Sequence, residues 1–132
     1  MTESSNETST RAEPLSLPRR FAIRLLHEAQ LAGEHAFTGV VGAAGEPDLY
    51  VPLVGPATLE DGLAHLRQRQ RTLWAVYLHR PDRPAAPTAE DFIEQPLVLR
   101  LTSSLATKGV LQLRAWLERS GRVIECELHL SD

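Results

Sequence analysis

Trp74-Ala75-Val76-Tyr77-Leu78-His79-Arg80-Pro81-Asp82-Arg83-Pro84-Ala85-Ala86-Pro87-Thr88-Ala89-Glu90-Asp91 runs from an apolar segment through a stiff loop into an acidic helix start. Residues 73–78 (LWAVYL) are nearly all apolar, the composition of a strand covered on both faces. Pro81, Pro84 and Pro87 make the loop that follows non-helical. Thr88 before Ala89, Glu90 and Asp91 reads as an N-cap opening a short helix, with carboxylates at the end its dipole favours.

Upstream of this stretch, Phe21, Ala22, Leu25, Leu26 and Ala29 recur at helical spacing. They predict a helix over 18–32, with Ser16 as a cap, Pro18 in its first turn and Gly33 ending it. Residues 36–43 (AFTGVVGA) and 48–54 (DLYVPLV) are β-prone runs joined by Ala44-Gly45-Glu46-Pro47, a hairpin pattern. Thr58 opens an amphipathic helix to about residue 71, with Leu59, Leu63 and Leu66 on one face. Its basic Gln68-Arg69-Gln70-Arg71 end is read as a solvated helix terminus.

Downstream, strands are expected over 97–103, 109–118 and 122–130, the last two joined by Ser120-Gly121. Ile124, Cys126, Leu128 and Leu130 alternate with Glu125, Glu127 and His129, so one face is buried and Cys126 belongs to the core. Trp74, Val76, Leu99, Leu101, Leu113 and Leu128 are expected to share that core. The fold class is therefore α+β, a single mixed and strongly twisted sheet flanked by helices.

Length and charge bound the function. A chain of 132 residues, 42% apolar, makes one domain. Fourteen Lys and Arg against 17 Asp and Glu leave a net charge of −3, so no basic field exists to hold phosphate backbones and nucleic-acid binding is not expected. The lone Cys126 excludes an internal disulfide and a cysteine-rich metal cage, and points to a reducing, cytoplasmic compartment. No export signal or membrane-spanning run is present in the sequence. Residues 1–13 hold six Ser/Thr and three Glu, which gives an expected disordered tail over 1–15 and a domain over 16–132.

The segment from Trp74 to Asp91 resembles the JAB/MPN (Mov34, JAMM) family, whose zinc-dependent members carry a strand ending in His-x-His-Pro and then a proline-rich loop to Ser-x-x-Asp. Pro81, Asp82, Pro84, Pro87, Thr88 and Asp91 fall at family positions without a gap. Arg114-Ala115-Trp116 is similar to a triplet in the family's closing strands. The resemblance spans residues 15–130 and implies an MPN/JAB-like, cytidine-deaminase-like layered fold of bacterial type.

It also implies where a zinc site would lie. The two imidazole positions fall on Leu78 and Arg80, the carboxylate on Asp91, the serine on Thr88, and the catalytic glutamate on His35, one residue from Glu34. Leucine cannot ligate, and a guanidinium stays protonated. The resemblance therefore implies a vestigial site of His35, Leu78, His79, Arg80, Thr88 and Asp91, with no catalytic residue, no metal and no cofactor. It implies a metal-free pseudoenzyme that serves as a protein-interaction or scaffold module. Its partner would be a protein: a ubiquitin-like or sulfur-carrier protein, or another MPN-type domain.

The alternative is a zinc-dependent isopeptidase or peptidase of the JAMM type, acting on a ubiquitin-like or sulfur-carrier tail, with zinc held by a rearranged His35, His79 and Asp91. A third is an α+β binding module of unrelated ancestry. Taken singly, His79 reads as a packed or hydrogen-bonded histidine facing away from the site, Thr88 as a cap and Asp91 as a dipole-stabilised carboxylate. Trp74, Tyr77 and Trp116 read as core or sheet-face aromatics, and His27, His65 and His129 carry no assigned role. Arg80, two residues beyond Leu78 on the same strand face, is expected to pair with Asp91 across the former metal position.

Overall fold

The structure is a computed structural model that describes residues 15–82, 84, 86–92, 98–104 and 112–132. Its elements are β1 (Leu15–Pro18), α1 (Arg19–Ala32), β2 (Phe37–Ala44), β3 (Glu46–Leu53), α2 (Leu59–Gln68), β4 (Thr72–His79), a 3-10 turn (Ala89–Phe92), β5 (Leu99–Ser104), β6 (Gln112–Arg119), β7 (Arg122–Cys126) and β8 (Leu128–Ser131). The tail expected over 1–15 lies outside the described residues except for Leu15, which already pairs in β1. The expected strand residues 97 and 109–111 also lie outside them. No described helix is long and apolar enough to cross a membrane.

Local chemistry sets the element ends. Gly33 stops α1 with a φ of 59°, and its N–H donates to Ala29 O at 3.0 Å, a left-handed stop that glycine adopts without strain. The other end departs from expectation. Ser16 lies in β1, and Pro18 is the N-cap itself, without a side-chain cap. Helix α2 opens on a capping box: the Thr58 hydroxyl accepts from the Asp61 N–H at 3.3 Å, and the Asp61 carboxylate accepts from the Thr58 N–H at 2.8 Å. Ser120 and Gly121, at φ 52° and 80°, make the tight turn from β6 to β7.

Six strands form a mixed sheet in the order β3-β2-β4-β5-β6-β7. Only β4 and β5 run parallel; every other neighbour is antiparallel. The expectation of a single sheet needs correction, because β1 and β8 form a separate parallel pair, with Leu17 opposite Leu130. The strand expected over 122–130 accordingly breaks at Glu127. Its inside–outside alternation survives the break.

Each face of the six-stranded sheet has its own apolar layer. Phe21 and Leu25 of α1 pack with Val41, Tyr50, Ala75, Tyr77, Leu99, Leu101 and Cys126, with Trp74, Leu113 and Leu128 on their margin. Val76 is buried but belongs to the other face, so the single shared core expected from sequence is in fact two. There it stands opposite Val40, over which Gly62 of α2 closes. From Ala75 to His79, beyond a register shift opposite Trp74, successive side chains of β4 feed the two layers alternately. Gly39 makes the tightest approach, since a Cβ there would run into the buried Tyr50 ring. Gly39→Ala is expected to cost about 1–2 kcal/mol from overpacking, read as a lower urea midpoint at unchanged slope.

Candidate functional site

The parallel β4 and β5 end side by side, and the loop leaving β4 returns as the 3-10 turn. Beside it is a hollow of about 430 Å³ on the α2 face of the sheet. Leu53, Leu59, Val76 and Leu78 supply apolar lining beside the Thr38 side chain, while Arg80, Glu90, Asp91 and Arg100 supply charge.

Arg80 and Asp91 meet in a two-pronged pair. The guanidinium donates from Nη1 to Asp91 Oδ2 at 3.0 Å and from Nη2 to Oδ1 at 2.6 Å. The partners' side chains are 28% and 14% exposed, so the pair is shielded on one side and wet on the other. Asp91 Oδ2 also accepts from the Thr88 N–H at 2.8 Å, and the Asp91 N–H donates to Thr88 O at 3.0 Å. Hydrogen bonding from Arg80, against the opposing pull of burial and with the Thr88 N–H adding to it, holds the Asp91 carboxyl below the usual carboxylate range. Sequence reasoning placed Arg80 and Asp91 together, and the structure has them so.

Arg100 is the member that the sequence reading missed. It is 3% exposed, donates from Nε and Nη2 to Asp91 O at 3.0 and 2.8 Å, and lies 4.7 Å over the Phe92 ring. Its signal was present: a lone arginine between Leu99 and Leu101 must face the opposite side of the strand from them. By gripping a backbone carbonyl and a ring, Arg100 fixes the 3-10 turn that presents Asp91.

The other expected site residues divide between the hollow and places away from it. Leu78 lines the hollow and Thr88 caps the turn, but His35 is exposed, with Nδ1 3.3 Å from Ala32 O. His79 is fully buried and projects to the α1 side, where Nε2 donates to Gly33 O at 3.0 Å and Nδ1 lies 2.9 Å from Ser103 Oγ. Both ring nitrogens are thus engaged away from Asp91. The structure does not bring His35, His79 and Asp91 together, because adjacent strand residues face opposite sides and His79 keeps the α1 side. Among the described residues, no group of three His, Cys, Asp or Glu side chains is gathered as ligands.

His79 instead belongs to an interior polar chain. Tyr77 donates its hydroxyl to Leu25 O at 2.8 Å and lies 3.0 Å from Ser103 Oγ. With Nε2 as the donor to Gly33, Nδ1 accepts from the Ser103 hydroxyl. Burial pushes the Tyr77 phenol up to about 12, so it stays protonated as this chain requires. A second hollow, about 540 Å³, lies between α1 and β6–β8 beside Cys126, whose thiol is raised by burial, which disfavours the thiolate.

No family model matches the chain, and no curated protein sequence matches it. Among the solved structures similar to it are two solution structures. One is of a Desulfitobacterium hafniense protein, with a TM-score of 0.69 and 20% identity over 89% of this chain and 92% of that one. The other is of a Salinibacter ruber protein, with a TM-score of 0.64 and 17% identity over 89% and 91%. The likeness is one of fold: this α+β architecture, nearly end to end, is shared with those two bacterial proteins.

Proposed function

We infer that the chain is an MPN/JAB-like domain that works without a metal, as a protein-interaction or scaffold module whose docking site is the hollow beside Arg80 and Asp91. The observation that carries this reading is the two-pronged pair itself, at 3.0 and 2.6 Å, where the resemblance implies one zinc ligand and the carboxylate that completes the set. These residues do not fit a divalent cation. Leu78 offers no donor atom, Arg80 brings a permanent positive charge, and both oxygens of Asp91 are spent on the guanidinium. The pair ties the end of β4 to the 3-10 turn and leaves the hollow beside it available.

That hollow suits an apolar side chain of a protein partner, received by Leu53, Leu59 and Leu78 and flanked by the charged rim of Arg80 and Glu90. The partner in this reading is a cytoplasmic protein, either ubiquitin-like, sulfur-carrier-like or a second MPN-type domain. Leu59→Glu tests the site. Leu59 is the first residue of α2, where a carboxylate suits the dipole, so the fold is expected to survive. A protein retained by the immobilised wild type in the presence of a chelator is expected to bind L59E at least tenfold more weakly, or about 1.4 kcal/mol. Equal retention by L59E, or retention that needs zinc, contradicts the reading.

A further inference from the structure

We propose that the outer face of α1 is a self-association surface on which a second copy of this chain docks antiparallel, helix against helix. The inference is independent of the hollow beside Arg80. Helix α1 turns Phe21, Ala22, Leu25 and Ala29 inward, and at about 100° per residue the opposite face is centred on Arg20, Ile23, His27 and Leu31. Ile23 and Leu31 are 60% and 70% exposed, two of the three large apolar side chains so exposed among the described residues. They stand about 12 Å apart along the axis with His27 midway. A two-fold axis passing beside His27 sets Ile23 of each copy against Leu31 of the other, so every exposed apolar group on this face gains an apolar partner.

Charge selects both the occupant and the direction. The first turn of α1 has no acidic residue and the last turn no basic one. Arg19, Arg20 and Arg24 fill the N-terminal half instead, with Glu28 in the C-terminal half and Glu34 just beyond it. This order opposes the helix dipole, which favours carboxylates at the N-terminus and cations at the C-terminus. Within one copy, Arg19 pairs with Asp132 at 3.3 Å, while Arg20, Arg24, Glu28 and Glu34 make no ion pair among the described residues. An antiparallel copy corrects both ends, laying Glu28 and Glu34 of one chain along Arg24 and Arg20 of the other. A parallel copy would stack like charges.

A contact one helix long lies at the low end of interface sizes, so the dimer is a concentration-dependent one. Sedimentation velocity on the full chain across the micromolar range is expected to show a monomer–dimer equilibrium. Ile23→Ser with Leu31→Ser is expected to weaken it at least tenfold, about 1.4 kcal/mol, without moving the thermal midpoint of dilute monomer. Arg24→Glu is expected to weaken it, and adding Glu28→Arg to recover it. A chain that stays monomeric, with this face taken by a different protein or by none, overturns the proposal. So does a dimer indifferent to the Ile23 and Leu31 changes, and a charge exchange that fails to recover binding overturns the antiparallel arrangement.

Discussion

Replacing His79 with alanine is expected to remove about 3–5 kcal/mol of stability, the scale set by deleting a large buried ring. The ring is fully enclosed, packs 5.1 Å from Phe37 and is held at both nitrogens. Its loss opens a cavity between sheet and helix and removes the partner of the part-buried Gly33 O, while the buried Ser103 hydroxyl keeps only Tyr77, 3.0 Å away. His79→Phe separates the two effects. It keeps most of the volume but supplies no donor, so a smaller loss of about 1–3 kcal/mol is expected from the unpaired groups alone. Equilibrium urea denaturation measures both. A loss below about 1 kcal/mol for His79→Ala would show that the ring is not an interior anchor joining β4 to the end of α1.

Asp91→Ala is expected to cost about 2–3 kcal/mol, between the ~0–1 of an exposed ion pair and the ~3–5 of a buried one. The intermediate value follows from the geometry. Arg80 remains 28% exposed, so its stranded guanidinium regains some water, yet the same substitution also removes the acceptor for the Thr88 N–H. A double-mutant cycle with Arg80→Ala is expected to return a coupling of about 1–2 kcal/mol, because the singles share one interaction.

The pH dependence has a definite sign. The folded Asp91 carboxyl titrates below its ordinary value of 3.8, chiefly through Arg80. Its contribution is therefore fully present above that value and is lost as pH falls through the lower folded one. Asp91→Asn is expected to flatten the acid limb of the stability curve below about pH 4 and to leave its shape at neutral pH unchanged.

The elements with a strong local signal were legible in the sequence. Helical spacing placed α1 and α2 within a few residues, Gly45 and the Ser120-Gly121 turn marked two hairpins, and the apolar run before Pro81 gave β4. What escaped was set by distant partners. Nothing in Leu15–Pro18 announces a strand, because its ladder is supplied by β8 from the other end of the chain. The unbroken alternation from Ile124 to Leu130 tells which side chains face inward but not which strand receives them, so the break at Glu127 was hidden. Val76 was assigned to the wrong layer for a related reason, since an all-apolar strand does not declare which residue faces which helix.

At the candidate site, the charges of Arg80 and Asp91 told more than the family resemblance, because opposite charges on a strand end and a turn have one economical arrangement. Arg100 was legible as a side chain facing away from Leu99 and Leu101, but the Tyr77–Ser103–His79 chain required the register of β4 against β5, which pairs Tyr77 with Leu101 and His79 with Ser103. No local pattern carries that register.

A zinc titration of the wild type beside the double variant Leu78→His/Arg80→His, followed by thermal midpoint, tests most directly whether an ion pair stands where the resemblance implies a metal site. A ligand that binds only the folded state stabilises it by RT ln(1 + [L]/Kd), about 2.7 kcal/mol at a hundredfold excess over Kd. The wild type is expected to show no rise in midpoint. The variant is expected to show a clear one, since two imidazoles on one strand face would then join Asp91 in a three-ligand set with the guanidinium gone. A rise in the wild type that disappears in Asp91→Ala would contradict the metal-free reading.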